Sequence, residues 1–181
     1  MSKLWLYIDR VIQFFFRYYR KRTFLSKINN TPSNLRVLGE VRFNATNVEI
    51  GNNVTIYPGV YFWGSGSIKI GDNVDLGIDT IIYSKSNVTI GNNTSIAAQC
   101  YIIDSNHGTK KGLLINKQPL EFEREGITIG NDVWIGAGAK IIKGSCIKNG
   151  AVIGAMSLVN KEVTENSIAV GVPASVIKKR E

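Results

Sequence analysis

The chain has 181 residues, 44% of them apolar and 20% charged, with a formal net charge of +8. That length suits one domain with a short appendage, and a core large enough to need no covalent staples. The balance excludes a largely disordered chain, and no run of about 18 apolar residues exists that would suit a polytopic membrane protein.

Residues 1–30 hold most of the charge, with seven basic residues against Asp9 alone. They also hold eight of the seventeen aromatic residues, whereas the body, residues 31–181, is nearly neutral at +2. The spacing predicts a helix over residues 4–20. Leu4, Ile8, Val11, Phe15 and Tyr18 fall on one side, Trp5, Ile12, Phe16 and Tyr19 widen it, and Arg20-Lys21-Arg22 closes it. A basic, aromatic helix of this kind suits peripheral contact with an anionic bilayer through residues 4–22, at the inner face of the cytoplasmic membrane. A cap for the body, or packing within an oligomer, would also use such a helix. Nucleic acid is not expected as a partner, because the body supplies no basic groove. The apolar stretch is broken by Asp9-Arg10 and reads poorly as a signal peptide. Two cysteines, Cys100 and Cys146, fit a reduced, cytoplasmic setting, and with His107 alone they cannot form a four-ligand zinc site.

The body is a repeat. An aliphatic or aromatic residue recurs every six positions at Ile50, Ile56 and Phe62, then at Ile70, Leu76 and Ile82, then at Ile90, Ile96 and Ile102. After an interruption the series resumes at Ile129, Ile135 and Ile141, and continues at Ile147, Ile153 and Val159. Gly51, Gly71, Gly91 and Gly130 follow the first member of four groups, and Asn52, Asp72, Asn92 and Asn131 come next. Gly and Asn tolerate positive φ and suit a corner repeated once per turn. A period of six does not fit a helix of 3.6 residues per turn. The reading is an all-β solenoid of about five triangular coils, in which stacking buries a continuous apolar column.

The extra residues fall between Phe62 and Ile70, Ile82 and Ile90, and Ile102 and Ile129, so stacking places them along one edge. Insertions gathered on one edge of a repeat protein often mark its binding edge. The largest runs over about 104–126 and holds the only histidine, His107, in Asp104-Ser105-Asn106-His107-Gly108. His suits proton transfer near neutral pH. Asp104 either fixes its tautomer, as the third member of a triad does, or caps a turn with Asn106. The loop mixes apolar residues with both charges, as a flap over a ligand or neighbouring subunit would, or a solvated loop with one anchor. Cys100 takes a small-residue position of its hexapeptide and reads as core rather than nucleophile.

Ile129-Gly-Asn-Asp-Val-Trp-Ile-Gly136, Ile153-Gly-Ala155 and Val170-Gly-Val-Pro-Ala174 resemble the C-terminal half of hexapeptide-repeat acyltransferases. The likeness is to galactoside/maltose O-acetyltransferases and to capsule, exopolysaccharide and lipopolysaccharide O-acetyltransferases, over roughly Ile50 to Lys179. It implies a left-handed parallel β-helix, against the usual right-handed crossover rule. It implies a homotrimer with each site between two subunits, and acetyl-CoA along the prism edge as cosubstrate. His107 would be the general base on a sugar hydroxyl that attacks the thioester directly. Trp134 would lie near the pantetheine and acceptor, with Asp79 and Tyr83 on the acceptor side. Gly136, Ala137 and Ala155 would meet the pantetheine arm, and Lys161, Lys178 and Lys179 the nucleotide phosphates.

The resemblance thus implies an O-acetyltransferase acting on a surface polysaccharide or its lipid-linked precursor. Asp79 stands where galactoside acetyltransferase has an acceptor-binding Asn, and Ser175 where it has an Arg after the Pro. A sugar N-acetyltransferase and a non-catalytic trimeric scaffold share the fold. A γ-class carbonic anhydrase would need three histidines, and serine acetyltransferase a longer helical N-terminal region.

Overall fold

The computed structural model describes residues 3–181, so Met1 and Ser2 of the basic arm lie outside it. A single α-helix, α1 (Lys3–Leu25), leads into a parallel β-solenoid. The helix runs five residues beyond the predicted Arg20, as no Gly or Pro interrupts it before Thr31-Pro32. No described helix is long and apolar enough to cross a membrane.

The solenoid has three faces, each named here for one inward residue. On the Phe62 face, Phe43, Phe62, Ile82, Ile102, Ile141 and Val159 stand in register. On the Ile70 face the column is Ile50, Ile70, Ile90, Ile129, Ile147 and Val163. On the Ile56 face it is Val37, Ile56, Leu76, Ile96, Ile135, Ile153 and Ala169. Every pairing among these strands is parallel, consistent with the β-helix that the resemblance implies. The six-residue columns of the sequence are therefore the columns of the core. Each fully buried Ile contributes about 1.5–3 kcal/mol relative to exposure, against an ordering cost of about 1–2 kcal/mol per residue of backbone.

The stack is longer than five coils. Val37 and Phe43 add rungs before Ile50, and Val163 and Ala169 add rungs after Val159. The front pair keeps the six-residue step but is separated from Ile50 by seven, and the rear pair follows a step of four. Strand Ser175–Lys179 then turns back and pairs antiparallel with Ser167–Val170, with a bulge between Ile168 and Ala169.

Glycine and asparagine divide the labour at the corners differently from the sequence reading. Gly51 does not take positive φ. A Cβ there would lie 2.4 Å from the backbone of Gly71, so the glycine serves close stacking. The left-handed residue is the one two places on: Asn53, Asn73 and Asn93 have φ of 56°, 57° and 57°. Their amides form a ladder, Asn34 to Asn53 to Asn73 to Asn93, each step 3.0 Å. Beside it, the backbone N–H of Asn52, Asp72, Asn92 and Asn131 each donates to the side-chain oxygen of the next coil.

At the helix end of the solenoid, Phe24 drops into the first coil. It is 3% exposed and its ring lies 5.9 Å from Phe43 and 5.8 Å from Phe62. Leu25 and Ile28 pack beside it.

Candidate active site

His107 stands at the corner between the Phe62 and Ile70 faces, where the insertion leaves the stack. Ser105–His107 is a strand that pairs antiparallel with Leu120–Phe122, His107 opposite Leu120. The backbone of His107 is therefore held at the root of the inserted segment while its side chain is exposed. Its cleft, about 500 Å³, is lined by Trp63, Tyr83, Tyr101, Ile103, Asn106 and Leu120 among others. Tyr83, expected on the acceptor side, is brought to His107. The Trp63 ring meets Tyr83 edge-on at 4.8 Å and stacks with Tyr61 at 5.8 Å.

Asp104 is fully buried, and its carboxylate accepts four hydrogen bonds from one turn of the preceding coil. The donors are the Lys85 N–H at 2.6 Å, the Ser86 N–H at 2.8 Å, the Asn87 N–H at 2.9 Å and the Ser84 hydroxyl at 3.1 Å. The His107 ring is not among these donors. These bonds match neither a partner of the His107 ring nor a cap on the local turn with Asn106: they reach the preceding coil and clamp the insertion edge of two successive coils.

Gln118 was not singled out in the sequence. Its side chain accepts from the Lys110 N–H at 2.8 Å and donates to the carbonyls of Lys110 and Leu113, each at 3.2 Å. It braces the segment that follows His107. Nothing in the sequence sets it apart from Asn106 and Asn116 of the same loop. Leu113, Leu114 and Ile115 beyond it are exposed.

Asp79 lies across the Phe62 face at the next corner, with φ of 55°. It lines a second cleft of about 350 Å³ with Arg42, Tyr61, Gln99 and Lys140, and this cleft shares Trp63 and Tyr101 with that of His107. The two clefts form one aromatic floor. Burial pushes the Tyr101 hydroxyl above its ordinary pKa, with Tyr83 adding to the effect. Cys100 is buried below this floor, 1% exposed, its Sγ 3.3 Å from the Gly136 carbonyl oxygen. Burial raises its thiol pKa, which fits a core residue and not a nucleophile.

The residues expected around the cosubstrate lie elsewhere on the same chain. Gly136, Ala137 and Ala155 stack at the corner between the Ile56 and Phe62 faces. The Gly136 N–H donates to the Ile153 carbonyl and the Ala137 carbonyl accepts from the Met156 N–H, both at 2.8 Å. A Cβ on Gly136 would sit 2.5 Å from the Ala155 nitrogen. Trp134, 57% exposed, stands on the Ile56 face beside Asp132, Val152 and Arg180. Arg180 is paired with Asp132 at 2.9 Å. Lys161 and Lys178 are exposed, on the insertion edge and on the returning strand respectively. The Lys179 ammonium donates to the Glu165 carbonyl at 2.6 Å and to the Thr164 hydroxyl at 3.2 Å. The cleft of His107 includes none of Trp134, Gly136 or these lysines.

A family model described as bacterial transferase hexapeptide (six repeats) matches residues 126–161, across the coils that follow the insertion. The coils after the insertion thus carry the hexapeptide repeats that this family model describes. The chain's resemblance to hexapeptide-repeat acyltransferases is borne out by its relatives. It is 37% identical over 130 residues to galactoside O-acetyltransferase of Escherichia coli K12, covering 72% of this chain and 63% of that one. It is 35% identical over 94 residues to an E. coli K12 protein, WbbJ, named as a lipopolysaccharide biosynthesis O-acetyl transferase, covering 46% of each. The chain thus spans less than two thirds of either relative. Among solved structures, AntD, an N-acyltransferase from Bacillus cereus in complex with dTDP and 3-hydroxybutyryl-CoA, superimposes with a TM-score of 0.75 at 19% identity. That match covers 89% of this chain and 88% of AntD, and shows the fold.

Proposed function

We propose that this protein is an acetyl-CoA-dependent O-acetyltransferase whose acceptor is a sugar hydroxyl of a surface polysaccharide or its lipid-linked precursor. The observation that carries the reading is the placement of His107. It stands exposed at the mouth of an aromatic-floored cleft, on backbone fixed by the Leu120 pairing and by the Asp104 clamp three residues earlier. Aromatic side chains give sugar rings flat apolar surfaces to rest on, and Asp79 at the far end of the floor offers a carboxylate to sugar hydroxyls.

In this reading the His107 imidazole takes the proton of the acceptor hydroxyl as that oxygen attacks the thioester carbonyl carbon. When the carbon–sulfur bond breaks, the imidazolium returns the proton to the leaving sulfur. The products are an acetyl ester and free CoA thiol, with no acyl-enzyme and no metal in the path.

The separation of His107 from Gly136, Ala137, Ala155 and Trp134 on one chain fits a left-handed homotrimer in which one subunit supplies the base and its neighbour the cosubstrate groove. The Gly136 N–H and the Ala137 carbonyl are already used within the stack, so pantetheine contact falls to the exposed Ala137 and Ala155. Lys161 and Lys178 are the cations assigned to the nucleotide phosphates. Lys179, engaged with Glu165, is a lesser contributor.

The test is thiol release from acetyl-CoA on a panel of glycan acceptors. His107→Asn is expected to lower the rate about 10²–10⁴-fold while leaving the sedimentation mass of a trimer unchanged. A variant that keeps full transfer overturns the mechanism. Cleavage of the product by mild base identifies an ester; a base-stable product assigns the amine chemistry of an N-acetyltransferase instead.

A further inference from the structure

Helix α1 is covered by its own chain only at its last turns. Phe24, Leu25 and Ile28 supply the cap that the open end of a solenoid needs, so the capping role ends there. Upstream, the described apolar side chains of the helix are largely exposed, and only from Phe14 onward does the helix border grooves against the first coil. Trp5, Ile12, Phe15 and Tyr19 are 64%, 45%, 63% and 66% exposed. At 100° per residue these residues belong to an apolar arc of about 200°. Arg10, Arg17 and Lys21 stand on the opposite arc with Leu6 and the inserted Phe24. Arg20 stands at its border, and Arg22 falls within the apolar arc at the helix end. Such an arc is wider than the roughly 100° stripe a helix buries against a protein core.

We infer that α1 is an in-plane anchor that lies in the headgroup region of an anionic lipid bilayer. The charge decides between a bilayer and a second copy of the chain. A second copy packed against the apolar arc would leave Arg10, Arg17 and Lys21 on the outer side with only Asp9 of the arm as counter-charge, whereas an anionic surface supplies the missing negative charge. Trp5, Tyr18 and Tyr19 each carry an apolar body with a polar tip, which suits the boundary between headgroups and acyl chains. The helix does not qualify as a membrane span, so it lies on the surface. At its root, Arg17 and Lys21 together with Arg36 of the first coil line a groove of about 380 Å³, a seat for a lipid phosphate. The solenoid's helix end would then face the bilayer.

The test is flotation of the full chain with two vesicle types, pure phosphatidylcholine and phosphatidylcholine with about a third phosphatidylglycerol. At least about tenfold more protein is expected on the anionic vesicles, and that binding should fall on raising salt from about 0.1 M to about 0.5 M. The double variant Ile12→Glu, Phe15→Glu and the triple variant Arg10→Glu, Arg17→Glu, Lys21→Glu should each lose it, with sedimentation mass and acetyl transfer to a soluble acceptor unchanged. Equal flotation on both vesicle types overturns the inference, as does binding retained in the double variant. A double variant whose oligomer falls apart assigns the apolar arc to a second copy and also overturns it. Vesicle binding is read without acetyl-CoA, so its failure is distinct from failure of the proposed chemistry.

Discussion

The carboxylate of Asp104 accepts from the N–H of Lys85 at 2.6 Å, joining residues nineteen positions apart across one coil of the solenoid. With the N–H groups of Ser86 and Asn87 and the Ser84 hydroxyl, this bond fixes the point from which the His107 segment departs.

Asp104→Ala should therefore act on stability before it acts on chemistry. Removing the acceptor leaves the part-buried N–H groups of Lys85, Ser86 and Asn87 unpaired, at about 1–3 kcal/mol for each donor that cannot reach water. A loss of at least about 3 kcal/mol is expected in urea titration, with faster amide exchange at residues 84–87. His107→Asn should leave both measurements within about 0.5 kcal/mol of the parent. Equal stability of the two variants would remove Asp104 from the clamp.

The asparagine ladder allows a second separation. Asn73→Ala places a Cβ-bearing residue without a polar handle at φ of 57° and deletes two rungs of the ladder, at a cost of about 1–2 kcal/mol. Asn73→Gly relieves the backbone term and should recover part of that loss. Gly71→Ala should cost more than either, because its Cβ would meet the Gly91 backbone at 2.9 Å. Thermal denaturation of the three variants orders them.

Phe24→Ala should cost about 3–5 kcal/mol, the range for emptying an aromatic site in a core. Hydrogen exchange should rise first in the coil that carries Phe43, and stability should respond little to Phe15→Ala on the uncovered part of the same helix. If both substitutions cost the same, the helix is not anchored by its last turn.

The two thiols should differ in reactivity. Burial raises the Cys100 pKa, so the thiolate becomes the main form only at a pH above that of an ordinary cysteine. At pH 8 a maleimide reagent should modify the partly exposed Cys146 first, and Cys100 only as the protein opens. Cys100→Ala should retain acetyl transfer.

Periodicity alone located the three columns, because an inward residue every sixth position is a local signal repeated many times. The rungs at Phe43 and Val163 escaped it, since steps of seven and four break the count while the stack absorbs them with a bulge at Ala45–Asn47 and a short corner. The edge carrying His107 was legible from where the extra residues fall. The partner of Asp104 was not, because a contact at a separation of nineteen depends on the pitch of the coil and leaves no trace in neighbouring residues. Glycine and asparagine were both readable as corner residues, but which bends the backbone and which admits the next coil emerged only from φ and from the space above Gly51.

A stack of parallel strands presents the same unsatisfied backbone at its last rung as at every earlier one, so nothing in the repeat itself limits growth. Here the final rung of the Ile56 face is occupied by a strand running the other way, bulged at Ile177 opposite Ile168–Ala169 and bearing Lys178 and Lys179. Reversed polarity, a bulge and cations at an edge each discourage another chain from docking there. The opposite mouth is stoppered by Phe24. The protein thus carries a fibre-forming architecture that its own returning strand closes on one face and its own helix end fills at the other mouth.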